Sequence, residues 1–149
     1  MPQLIIFRTD ASIRIGSGHL MRCLTLAEAL RKFDMEVRFV CRKHVGNLNK
    51  MILNKGFFVH ELAVSGNLES YSISDDNSGN EYASWLGASQ EDDAQETIDT
   101  IQGKHPDWLI VDHYAVCEIW ENKLRPHVRN IMVIDDLANR MHECDILLD

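Results

Sequence analysis

No run of apolar residues in this sequence approaches the roughly 18 that a membrane-crossing helix requires. Its N-terminus also lacks a basic stretch followed by an apolar core of the secretory kind. The expectation is a soluble, cytoplasmic protein with no membrane partner. Cysteines are few and scattered: Cys23, Cys41, Cys117 and Cys144 form no CxxC pair, and three of them lie in apolar surroundings. That spacing argues against a disulfide framework or a zinc site and for reduced thiols. Lysine and arginine are missing from Glu61 to Gly103, a stretch with ten acidic residues, and the formal net charge is −8. Such a balance argues against a protein that wraps nucleic acid. Outside that stretch 15 basic residues face 13 acidic ones, which leaves room for an anionic ligand. No GxxxxGK[ST] occurs, and the third glycine of the dinucleotide fingerprint is absent, so neither a P-loop nor a Rossmann cofactor site is supported.

What is present suits one compact domain: 149 residues, 45% hydrophobic and 26% charged, enough to build a sizeable core. Leu4 to Phe7, Val37 to Cys41, Phe57 to Leu62, Trp108 to Val111 and Ile131 to Ile134 read as short buried strands, with Asp145 to Leu148 as a sixth. Between them lie helical patterns. Leu20, Cys23, Leu24, Ala27 and Leu30 recur at three- and four-residue intervals. Gly46 to Lys55 reads as a helix with Gly56 as its stop. Ser89 is placed to cap another, with Glu91, Asp92 and Asp93 complementing its dipole, and Glu118 to Arg125 forms a helix that Pro126 stops. The polar stretch Ser65 to Gly79 reads as a long loop. Strands alternating with helices predict an α/β fold, a doubly wound, mostly parallel Rossmann-like sheet covered on both faces.

The chain is organised around Ile15-Gly16-Ser17-Gly18-His19-Leu20-Met21-Arg22-Cys23, a glycine-bracketed turn between the first strand and the first helix. A helix start presents unpaired N–H groups and a positive dipole end, which suits an anion. Gly16 and Gly18 permit backbone angles and close ligand approach that a Cβ resists. Ser17 is placed to cap the helix, and His19 enters its first turn as a candidate general base.

In a parallel sheet the residues that follow each strand share one edge, where ligands bind at the switch in strand order. That edge collects Arg8 and Asp10 from the first strand, Asp112-His113-Tyr114 from the fourth and Asp135-Asp136 from the fifth. The four aspartates suit metal ligation, acid chemistry, substrate contact or the holding of loops and helix starts. Alternation along a strand makes Tyr114, rather than His113, the residue facing the same way as Asp112. Cys23 lies four residues after His19, the spacing of a nucleophile pair, and also fits the core stripe. Arg8, Arg22 and Arg140 are suited to phosphate or carboxylate. Trp85-Leu86-Gly87 reads as packing or as a closure over the site.

Phe7 to Ser12 and Ile15 to Ala27 together resemble the opening of the UDP-2,4-diacetamido-2,4,6-trideoxy-β-L-altropyranose hydrolases of pseudaminic acid biosynthesis. Trp85-Leu86-Gly87 with Asp93-Ala94, Val111 to Tyr114, Ile134 to Arg140 and Cys144 to Leu148 continue the resemblance in the same order. The resemblance implies a GT-B-like enzyme, related in fold to metal-independent glycosyltransferases, that needs no cofactor. It implies that His19 activates water for attack on the anomeric carbon of a UDP-linked diacetamido trideoxy sugar, with inversion and loss of UDP. Gly16, Ser17 and Gly18 would shape the pocket, and Arg8, Asp10, Asp112 and Tyr114 would contact sugar or water. Residues 1–149 would then be the N-terminal domain, and the C-terminal nucleotide-binding domain would lie outside this chain. Half of a GT-B glycosyltransferase and a non-catalytic module that needs a separate second domain are the alternative readings.

Overall fold

The computed structural model of the protein describes residues 2–64 and 81–149. The polar stretch from Ser65 to Gly79 lies outside the described residues. Six strands form one sheet: β1 (Leu4–Thr9), β2 (Glu36–Arg42), β3 (Phe58–Leu62), β4 (Trp108–Asp112), β5 (Asn130–Ile134) and β6 (Ile146–Leu148). Their order is β3-β2-β1-β4-β5-β6 and every pairing is parallel, as in a Rossmann-like doubly wound fold. Helices α1 (Gly18–Arg31), α2 (Asn49–Asn54), α3 (Gln90–Ile101) and α4 (Glu118–Leu124) cover the sheet. Among the described residues, no helix is long and apolar enough to cross a membrane.

Alternation along the strands supplies two cores. Ile5, Phe7, Phe39 and Ile110 face one side with Leu20, Cys23, Leu24 and Ala27 of α1 and Ile52 of α2. Ile6, Val40, Leu109, Val111 and Val133 face the other, where Ala94, Ile98 and Ile101 of α3 and Trp120 and Leu124 of α4 pack on them. Burial on both sides explains why these strands read as continuous apolar runs.

Two helix boundaries depart from the sequence expectation. The Gly46 to Lys55 helix is confined to Asn49–Asn54, because Gly46 has φ +78 and belongs to a turn. Asn47 Oδ1 then accepts the Asn49 N–H at 3.1 Å, and the helix starts there. Ser17 occupies the N-cap position of α1, but its φ of −105 and ψ of −10 are not extended and its hydroxyl makes no capping bond. Ser12 instead closes the turn that precedes the helix: its Oγ accepts the Ile15 N–H at 2.9 Å and its carbonyl the Gly16 N–H at 2.8 Å. Ser89 caps α3 as its sequence implies, accepting the Asp92 N–H at 3.0 Å.

The switch in strand order falls between β1 and β4, which lead in opposite directions across the sheet. The crevice outside their carboxyl ends is therefore where ligand chemistry belongs.

Candidate active site

The β1–α1 connection and the β4–α4 connection meet at this crevice. Thr9 Oγ1 donates to the Asp112 carbonyl at 3.1 Å and ties the two strand ends together. Gly16, at φ +79, turns the chain into α1, so that the first helical turn projects His19 back over the end of β4. Its Nδ1 lies 2.6 Å from Asp112 Oδ1. Arg22 Nη2 lies farther from the same nitrogen, at 3.2 Å; the shorter contact is to a carboxylate, which only accepts, so in the neutral ring Nδ1 carries the hydrogen and Nε2 the lone pair. Nε2 has no hydrogen-bond partner among the described residues, and the side chain is 9% exposed.

Asp112 is fully buried and doubly held. Arg22 grips it in a fork, with Nε to Oδ2 and Nη2 to Oδ1, the latter at 2.7 Å. Burial pushes its carboxyl upward, but the Arg22 and His19 bonds outweigh burial and hold it below the usual carboxylate range. Arg22 thus meets a carboxylate, as its chemistry suggests, and that carboxylate is the protein's own. Tyr114 stands perpendicular to the His19 ring, centroids 4.4 Å apart, and donates its hydroxyl to Asp136 at 2.6 Å. The Asp136 bond pushes the phenol up to about 12, so it stays protonated near neutral pH. Tyr82 and Trp85 pack beside Tyr114, at 5.2 and 6.2 Å between centroids.

Gly16 and Gly18 have open space where a Cβ would stand, and only Gly16 uses a left-handed angle. The glycine turn, His19, Asp112 and Tyr114 are therefore brought together. Arg8 and Asp10 are not free to join them. Arg8 is fully buried; it donates Nε to Asp93 Oδ1 at 3.1 Å, Nη2 to Asp93 Oδ2 at 2.5 Å and Nη1 to Asp10 Oδ1 at 2.8 Å. Asp10 also accepts the Arg42 N–H at 2.7 Å and the ring nitrogens of His44 and His113 at 3.1 and 2.9 Å. Both side chains are thus buried and bonded to the protein's own groups. Asp93 departs from its sequence expectation as well: instead of serving only the dipole of α3, it is fully buried beneath Arg8, Arg42 and the Trp120 indole N–H. Burial raises its carboxyl, and Arg8 and Arg42 more than reverse this.

Asp10, His44 and His113 bring one potential ligand atom each within 4.8 Å of one another. His113 decides what this trio is. Its Nδ1 accepts the Ala115 N–H at 3.1 Å, and burial lowers its pKa. A neutral imidazole has one lone pair, so Nε2 carries the hydrogen and donates to Asp10. A metal at Nε2 would require that lone pair, and the donor set does not fit one. Cys23 also leaves the list of nucleophiles: it packs in the core, and burial pushes its thiol well above the ordinary value.

Sequence reasoning did not assign Ser12, Arg42, His44, Asp93 or Trp120 to this assembly. The available signal was the length of the polar side chains at strand ends, Arg8 and Arg42, which a buried position forces to find carboxylates. In comparison with known proteins, no family model matches the chain and no curated protein is significantly similar to it.

Proposed function

We propose that this chain is the domain of a UDP-sugar hydrolase that carries the catalytic base, acting on a UDP-linked diacetamido trideoxy sugar. The observation that carries the reading is the His19–Asp112 pair, 2.6 Å apart at the switch point, with the Nε2 lone pair uncommitted among the described residues. In the reaction, Nε2 takes a proton from water as the water oxygen bonds to the anomeric carbon. The bond from that carbon to the diphosphate oxygen breaks, its electron pair leaves with UDP, and the configuration inverts. Asp112 keeps the ring in the required tautomer and stabilises the imidazolium that forms. The unpaired N–H groups at the start of α1 favour the charge that grows on the diphosphate.

The motifs from Ile15 to Ala27 and from Val111 to Tyr114 support the choice of substrate. On this reading a second, nucleotide-binding domain holds the uridine, and the reaction takes place in the cytoplasm. The test is UDP release from the UDP-linked sugar, by the protein alone and with a separately supplied nucleotide-binding domain, for wild type and His19→Ala. The variant is expected to lose about 10²- to 10⁴-fold in kcat. Unchanged turnover would remove His19 from the chemistry, and faster transfer to a carbohydrate acceptor would assign the same base to a transferase.

A further inference from the structure

The sequence Asp135-Asp136-Leu137-Ala138-Asn139-Arg140 follows β5, and the mechanism above leaves Arg140 without a task. The site's Tyr114 lies in a β-turn, closed by the Val116 N–H donating to the His113 carbonyl at 3.2 Å. Arg140 binds both ends of that turn. Its Nη2 donates to the His113 carbonyl at 3.1 Å and its Nε to the Val116 carbonyl at 2.7 Å. Its Nη1 donates to Asp135 Oδ1 at 3.0 Å and Asn139 Oδ1 at 2.9 Å, and the side chain is 4% exposed. Ala138, with φ 52, adopts the left-handed conformation two residues before Arg140. From the opposite side, Asp10 holds the His113 ring, whose Nδ1 fixes the Ala115 N–H.

We infer that Arg140 is a positioning residue: by gripping the first and last carbonyls of the His113–Val116 turn, it fixes where the Tyr114 ring stands against His19. Arginine suits the task because a planar fork reaches two carbonyls and a carboxylate at once, whereas lysine offers one point charge. These bonds take four of the five guanidinium hydrogens of Arg140, so most of its donor capacity is spent on the protein itself. The inference uses the hydrolase reading only for its kinetic arm.

Its structural arm is independent of turnover. The His19 and Tyr114 rings stand perpendicular with centroids 4.4 Å apart, so the ring protons of one lie in the ring current of the other, and NMR of the whole chain reads that shift directly. In Arg140→Lys and Arg140→Gln that shift is expected to collapse while amide dispersion in the rest of the sheet persists. An unchanged shift in a folded variant overturns the inference. Should neither variant fold, the wild type decides: the Arg140 Nε–H must give a distinct, slowly exchanging resonance, and fast exchange there overturns it. In the kinetic arm, Arg140→Lys is expected to lower kcat for UDP release about 10²-fold with KM changed less than about twofold. If wild type releases no UDP, the hydrolase reading fails and the ring-current result still stands or falls alone.

Discussion

At Asp112, exchanging one oxygen for nitrogen reverses the logic of the dyad. The amide side chain of an Asp112→Asn variant would turn its carbonyl to Arg22 and its NH₂ to His19, so that Nδ1 must accept and Nε2 carries the proton. The lone pair then faces residue 112 instead of standing on the uncommitted Nε2. Asp112→Asn is expected to lower kcat for UDP release by about 10²- to 10⁴-fold. Nitrogen chemical shifts of the ring would report the exchanged tautomer. A variant with the wild-type tautomer and undiminished turnover would contradict the assignment of Asp112 as the residue that orients His19. Arg22 adds a second constraint, because a carboxylate held from two sides cannot swing away from the imidazole.

At the scale of elements, the turn into α1 separates two glycines that look equivalent in the sequence. Gly16 sits at φ +79 and Gly18 does not use that region, while neither would bring a Cβ within 4 Å of another group. Gly16→Ala is expected to cost about 1–2 kcal/mol, and Gly18→Ala to stay within about 0.5 kcal/mol, in urea denaturation. Equal losses would mean that the two positions share one constraint. The strands and most helices were legible because burial on both faces writes apolar runs and helical burial writes a three-four period. The crevice was legible because polar residues follow β1, β4 and β5. What could not be read was the partner of each polar side chain. Arg8 and Asp10 carry the same letters whether they meet a ligand or, as here, Asp93, His44 and His113. Likewise Ser17 stands at the N-cap position its sequence implies, and only its backbone angles show that its hydroxyl makes no capping bond. Gly46 hid a turn inside a helical pattern for the same reason: its positive φ leaves no trace in hydrophobic spacing.

For the whole molecule, His142 and His113 give stability opposite dependences on pH. Burial disfavours the charge of His142, but its Nδ1 lies 2.8 Å from Glu121 Oε2 and its Nε2 3.1 Å from Asp135 Oδ2, and these carboxylates raise its pKa above 6.5. The folded state then holds this proton more tightly than the unfolded chain. The stabilisation is complete below about 6.5 and is lost as pH rises through the folded value. His113 is lowered, chiefly by burial. Here the unfolded chain binds the proton more readily, so stability is full above about 6.5 and falls as pH drops through the folded value. Urea denaturation across pH should show decline on both sides, and His142→Gln should flatten the alkaline side alone. Loss of the acid limb in His142→Gln would contradict this division. The sheet order has a further consequence for the dyad. His19 and Asp112 are 93 residues apart in the chain and come into contact only because β4 docks on β1. During synthesis a ribosome must extrude β4 before the His19 imidazole meets its carboxylate, so a nascent or prematurely terminated polypeptide exposes the glycine turn without an oriented ring beside it.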